Sequence, residues 1–324
     1  MVYSDAVLSR AKQRLAQAKL DAEQESERRI AGIYARYPRL QVIDRELKAS
    51  VAEAISVAFS HGEDTVAAIE AVKEKNLALQ EERSWLLQVN EIDEADLEPD
   101  VLCPLCGGRG YVGEVMCECL QELCRQEQKK ELSSLLAGRE TFDGFRLDYY
   151  PEQMESGNQT IYPRTIMEKT YKYCKTFAAE FGSHSRSMLF TGGAGLGKTY
   201  LSACIARVVA EKGFSVVYES AGVMFADFEA AKFGSADEAL TRKYLLCDLL
   251  IIDDLGTEMT TQFTQSALYQ IVNTRLVERR PTIVSTNLSS GEISARYLPA
   301  TASRLMGTYE WRPFYGNDIR MMRK

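Results

Sequence analysis

The sequence predicts an α/β domain with a parallel sheet and helices on both faces, preceded by an α-helical module and a small zinc-binding segment. Three observations carry this. From about residue 160, short apolar runs alternate with helical stretches, the pattern of a parallel sheet covered on both faces. One run leads directly into a glycine-rich G-x-x-x-x-G-K-T loop at 192–199. Residues 1–90 instead repeat apolar side chains every three or four positions, the period of amphipathic helices.

In chain order, Leu8, Ala11, Leu15 and Ala18 form the first helical stripe. Pro38 interrupts it, and a second stripe runs through Ile43, Leu47, Val51, Ile55 and Phe59. Gly62 ends that stripe, and Asp64 is the expected N-cap of a third helix through Ile69, Val72 and Leu79. Such helices suit a small bundle that docks a partner. Residues 91–100 hold six acidic side chains in ten and read as a solvated linker. Residues 125–140 read as helix, and TFDGFRLDYYP leads, with a turn at Asp143–Gly144, into the second domain. The expected divisions are 1–95 for the helical docking module, 96–140 for the acidic linker and cysteine segment, and 141–324 for the α/β domain. Within the last, Ser187–Thr191, Ser215–Tyr218, Leu249–Ile252 and Thr282–Ser285 read as strands and Tyr200–Ala210 as helix.

The loop Gly192-Gly193-Ala194-Gly195-Leu196-Gly197-Lys198-Thr199 is a phosphate cradle. Its glycines let backbone N–H groups curl around phosphate oxygens without Cβ clashes, and the helix that follows turns its positive end to the same anion. Lys198 is expected on the β- and γ-phosphates and the Thr199 hydroxyl on Mg²⁺, with Tyr200 also beside the nucleotide. The apolar run ending in Asp253-Asp254 supplies the second element. In a parallel sheet the strand's C-terminal end faces the ligand crevice. Asp253 is then expected in the Mg²⁺ shell, and Asp254 is expected to orient or deprotonate the attacking water, with Glu258 as fallback base. Aspartate is one methylene shorter than the glutamate common there in fast ATPases, which implies slow turnover. Asn287 ends a further strand, where a polar side chain reaches the γ-phosphate or the water.

Five of the eight cysteines fall within 103–124. Cys103 and Cys106 form a CxxC knuckle beside Gly107, Gly108 and Gly110, and Cys117 and Cys119 follow after ten residues. The only histidines, His61 and His184, are remote in sequence. Four thiolates at about 2.3 Å from one ion would make a closed structural Zn²⁺ site. The tight C-x-C spacing leaves Cys124 as an alternative ligand. Cys174, Cys204 and Cys247 read as small buried hydrophobes. A net charge of −7 argues against a broad charge-driven grip on DNA, though not against a local basic site. No apolar run spans a membrane and no secretory signal opens the chain, so a cytoplasmic location is expected.

FTGGAGLGKTYLSACIA, LLIIDDLGTE, PTIVSTNLS, SRLMG and the terminal YGNDIR together resemble the DnaC/DnaI-type bacterial replicative helicase loaders and the related IstB-type transposition ATPases. The resemblance covers residues 142–324 and implies an AAA+ core. It puts Asn287 in the sensor-1 place, Arg304 in the place of an arginine finger supplied to a neighbouring subunit, and Arg320 in the sensor-2 place. Few residues follow 304, too few for a full helical lid. The resemblance also implies a zinc module beside a region that binds a replicative helicase hexamer, self-association through the ATPase interface, and single-stranded DNA near Ala221–Tyr244. There Lys232, Lys243 and Tyr244 are the expected DNA contacts, and Phe225 and Phe228 are expected in the core. The function implied is an ATP-dependent helicase loader. A transposition helper ATPase, or a nucleotide-gated adaptor with little hydrolysis, are the alternatives.

Overall fold

A computed structural model describes residues 3–59, 65–135, 140–157, 159–234 and 239–322. The expected N-cap Asp64 lies outside them. The chain divides into two compact units, one of Arg14–Cys117 and one of Met1–Gln13 with Glu118–Lys324. The sequence suggested breaks near 95 and 140 instead.

The first unit contains most of α1 (Asp5–Arg36), then α2 (Pro38–Phe59), α3 (Thr65–Val89) and a short hairpin of β1 (Tyr111–Val112) and β2 (Val115–Met116). Pro38 stands at the first position of α2, where its missing N–H costs nothing. Leu40, Ile43 and Leu79 are buried where α2 packs on α3. Arg83 pairs with Asp44 at 2.7 Å and Arg39 with Glu82 at 2.6 Å across the same two helices. The acidic stretch is not a free linker. Arg29 holds Asp100 at 2.8 Å and the carbonyls of Asp96 and Glu98, and Arg83 reaches Glu94 at 2.5 Å.

The second unit opens with α4 (Glu118–Leu135), followed by a hairpin of β3 (Met154–Ser156) and β4 (Gln159–Ile161). Next come α5 (Pro163–Ala179), β5 (Met188–Thr191), α6 (Lys198–Glu211), β6 (Val216–Ser220), α7 (Ala221–Lys232) and α8 (Ala239–Leu246). The chain continues through β7 (Leu249–Leu255), α9 (Gln262–Val277), β8 (Thr282–Thr286), α10 (Ser290–Arg296), α11 (Pro299–Gly307) and β9 (Glu310–Pro313). The five-stranded sheet runs in the order β6-β7-β8-β5-β9, with every pair parallel. Alternate residues of each strand feed two cores. Met188, Phe190 and Ile251 pack with Leu201 and Ile205 of α6, while Leu189, Leu250 and Val284 pack with Phe225 of α7 and Leu268 of α9. Cys174, Cys204 and Cys247 are buried in these layers.

The break falls before α4 because α4 is tied to the edge of the sheet. The Gln128 amide accepts from Val216 N at 2.9 Å and donates to Phe214 O at 2.9 Å, pairing with β6 as a backbone would. Arg10 pairs with Glu127 at 3.3 Å, which brings the first turns of α1 into the same unit.

Candidate nucleotide and metal sites

β5 ends at Thr191, and the chain turns through Gly192–Gly197 into α6. Gly192, Gly195 and Gly197 hold positive φ values of 140°, 73° and 91°, which a side chain would resist. Gly192 and Gly195 have a second reason. A Cβ on Gly192 would meet Phe314 O at 2.3 Å, and one on Gly195 would meet Asp318 Oδ1 at 1.7 Å. The segment after β9 thus lies against the loop, with Ile319 N bonded to Gly195 O at 3.0 Å.

The Lys198 ammonium donates to Gly192 O at 2.6 Å, Gly193 O at 2.7 Å and Asn287 Oδ1 at 2.6 Å, so β5 and β8 converge on it. Burial lowers its pKa, while Asp254 and Asp253 oppose that shift. Thr199 Oγ1 lies 3.3 Å from Asp253 Oδ1. A hydroxyl and a carboxylate at that separation are the hard oxygen donors that suit Mg²⁺. Asp254, at φ 52°, turns the other way and lines the cleft. Burial and then Asp253 raise its carboxyl above the ordinary range, and Lys198 and Arg320 hold it back. Glu258 is not on the cleft: it accepts from Gly256 N at 2.7 Å and from the Tyr297 hydroxyl at 2.6 Å. The geometry therefore makes it a brace for its loop rather than a fallback base.

The cleft has a volume of about 490 Å³. Ala194–Tyr200, Asp254, Asn287 and Arg320 line one part of it, and Phe145, Arg146 and Tyr149 the other. Arg320 arrives on a short 3₁₀ turn, Ile319–Met321, capped by Asp318. The aromatic wall was missed as site-forming by sequence reasoning, which took 141–151 only as a lead-in. Its signal was the density of aromatics just ahead of the first strand.

Arg304 sits on α11, away from this cleft. Its Nε donates to Asn273 Oδ1 at 3.1 Å and its guanidinium lies 5.1 Å from the Tyr269 ring centre.

The thiols of Cys103, Cys106, Cys117 and Cys119 all lie within 4.8 Å of one another, and Cys124 is not among them. Cys103 and Cys117 Sγ are 3.8 Å apart. A tetrahedron with Zn–S bonds of about 2.3 Å has edges of about 3.8 Å, so the donor set fits Zn²⁺. Gly110 N points at Cys106 Sγ at 3.3 Å, the kind of backbone donor that steadies a thiolate.

Of the expected DNA contacts, Tyr244 and Lys243 are corrected. Tyr244 is fully buried, with its hydroxyl on Asp227 Oδ2 at 2.5 Å, so no face is left for a base. Lys243 is half-buried and paired with the same Asp227 at 2.9 Å. Lys232 is exposed, and its ammonium lies 4.8 Å from the Phe263 ring centre and 5.9 Å from that of the exposed Phe233. Phe225 and Phe228 are in the core.

Residues 168–304 match the family described as IstB-like ATP binding protein. The parallel sheet, the phosphate loop after β5 and the helices on both faces make a P-loop α/β domain. The chain is 30% identical over 149 residues to the replicative helicase loader DnaC of Escherichia coli K12, which is 45% of this chain and 61% of that protein. It is 24% identical over 194 residues to the chromosomal replication initiator DnaA of Aliarcobacter butzleri, 60% of this chain and 39% of that protein. The chain thus spans under two thirds of these relatives. A crystal structure of the DnaC helicase loader overlays 54% of this chain and 97% of its own, at 17% identity and a TM-score of 0.46. The DnaI structure overlays 59% and 98%, at 19% identity and a TM-score of 0.43. No helix among the described residues is long and apolar enough to cross a membrane.

Proposed function

We propose that this chain is an ATP-dependent loader that places a replicative helicase hexamer on single-stranded DNA in the cytoplasm. The observation that carries the reading is the 30% identity to a helicase loader over 149 residues of this chain. ATP would lie with its phosphates along Gly192–Thr199 and its base against Phe145 and Tyr149. Thr199 and Asp253 would hold Mg²⁺, which neutralises phosphate charge when bound. Asp254 would take the proton of the attacking water, Asn287 and Arg320 would contact the γ-phosphate, and Arg304 would complete a neighbour's site, making turnover slow and assembly-stimulated. Zn²⁺ on the four cysteines would staple a segment that has little core of its own. The helical unit would grip the helicase. Lys232, with Phe233 and Phe263, would stack and neutralise single-stranded DNA.

The test is loading of a hexameric helicase onto closed circular single-stranded DNA by the full chain. It is read by unwinding of an annealed strand, with ATP turnover measured alongside. Unwinding should require this chain and ATP, and single-stranded DNA should stimulate turnover. Loading independent of the chain would overturn the reading, and loading with bound but unhydrolysed ATP would make the chain a nucleotide-gated adaptor. The IstB-like match favours a transposition helper as the second reading. Stimulation by a transposase rather than by a helicase would select it.

A further inference from the structure

The paired aspartates sit on a break in the sheet. β7 and β8 are in register at Ile252–Val284 and again at Leu255–Thr286, so two residues, Asp253 and Asp254, face the single residue Ser285. Such a bulge re-aims side chains, and bulges gather beside active sites. Here both consecutive side chains are carboxylates, and both geometries run through one hydroxyl. Asp254 N donates to Ser285 Oγ at 3.0 Å. That uses a lone pair of the hydroxyl and leaves its proton for Asp253 Oδ1, to which Ser285 Oγ donates.

On the other side, β6 is parallel to β7, and the Tyr218 hydroxyl reaches Asp253 Oδ2 at 2.8 Å. Tyr218 is 9% exposed, Ser285 0% and Asp253 7%, so water does not compete for these bonds. The outcome is a carboxylate with one oxygen committed to Tyr218 and the other turned to Thr199. Without such partners, the carboxylate torsion is broad and roughly two-fold.

We propose that Tyr218 and Ser285 are positioning residues for the Mg²⁺ of the nucleotide site, clamping Asp253 from the two flanking strands so that Oδ1 faces the metal position beside Thr199. The inference rests on the ATP–Mg²⁺ reading above. Neither residue lines the cleft. Their effect is on the metal, through the orientation of its carboxylate ligand.

Tyr218→Phe removes only the hydroxyl and keeps the buried ring. Binding of a fluorescent ATP analogue by the full chain should be titrated with Mg²⁺, and separately measured in EDTA. Affinity in EDTA should stay within about twofold of wild type. The Mg²⁺ concentration that half-saturates the metal-dependent gain should rise by about 10–100-fold, the usual effect of losing a partner of a metal ligand. Turnover should recover at high Mg²⁺, which a merely structural defect would not allow. Ser285→Ala should behave in the same way and carries the test if Tyr218→Phe does not fold. Mg²⁺ titrations that superimpose on wild type, or equal losses with and without Mg²⁺, would overturn the proposal. If wild type itself gains nothing from Mg²⁺, the nucleotide site is wrong as well, an outcome distinct from a failure of the two variants.

Discussion

Asp253 and Asp254 are neighbours of the same type with opposite duties, and the difference is one of backbone. Asp253 points between strands into hydroxyl donors, whereas Asp254, left-handed at φ 52°, points into the cleft. Asp254→Asn should therefore bind ATP nearly as well as wild type and hydrolyse almost none, measured by analogue binding and phosphate release. The raised Asp254 pKa sets the pH direction. A base must be ionised, so turnover should fall on acidification at a higher pH than an ordinary carboxylate would allow. Lys198→Ala should lose nucleotide binding or turnover outright, because the phosphates lose their cation. At this scale the phosphate-loop residues were legible because glycine, lysine and threonine at fixed spacing have few other uses. Tyr244 was not, because an aromatic next to a lysine reads the same in sequence whether its ring faces solvent or the core. The two cases separate by measurement. Phe233→Ala should weaken single-stranded DNA binding by about 1–3 kcal/mol, the usual worth of one stacked base, and Lys232→Ala should flatten its salt dependence. Tyr244→Phe should leave the DNA affinity unchanged and lower stability instead, because Asp227 loses a buried partner.

Elements became legible in proportion to their apolar content. β5, β7 and β8 are almost wholly buried and read as apolar runs ending in polar side chains. β9, Glu-Trp-Arg-Pro, is only partly buried at the sheet edge, so it carries no such signature, and Pro313 is tolerated because an edge leaves its missing N–H unneeded. The hairpins β1–β2 and β3–β4 have two or three residues per strand, too few for any period to show. Ala221–Tyr244 holds α7 and most of α8. The boundary before α4 was hidden because it depends on one uncharged side chain, Gln128, pairing with the edge of β6. The cysteine segment was legible from its spacing, since four thiols brought together suit a metal ion. The purified protein should contain about one zinc per chain by elemental analysis. Cys103→Ser with Cys106→Ser should release it and make 100–117 sensitive to protease, while the sheet unit, with its own two cores, keeps its thermal transition. A metal-free preparation with the same protease resistance would remove zinc from this reading.

Across the whole molecule, the arginines divide by where they are anchored. Arg320 lines its own chain's cleft. Arg296 is spent on the loop after β7, donating to Thr260 Oγ1 at 2.6 Å and to the Glu258 carbonyl. Among the described residues, Arg304 is held by Asn273, Ala300 O and the Tyr269 ring, on a helix that does not line its own cleft. In the proposed assembly this guanidinium would reach phosphate across a subunit boundary, where its planar fork matches the phosphate oxygens. The contact would be heterologous, head to tail, and would build rings or open helices. Arg304→Ala should then bind ATP like wild type and hydrolyse it at least about 10³-fold more slowly, the scale on which an arginine supplied in trans acts. Mixing decides whether the arginine acts in trans. Lys198→Ala chains have a dead pocket and an intact Arg304, whereas Arg304→Ala chains have a live pocket and no finger. Each is inactive alone, and together they should recover part of the wild-type turnover, rising with total concentration as the contact forms. Full activity of Arg304→Ala at concentrations where the protein self-associates would end the assignment. An inactive Arg304→Ala that no mixture rescues would instead mark Arg304 as a support for α11 through Asn273 and Tyr269.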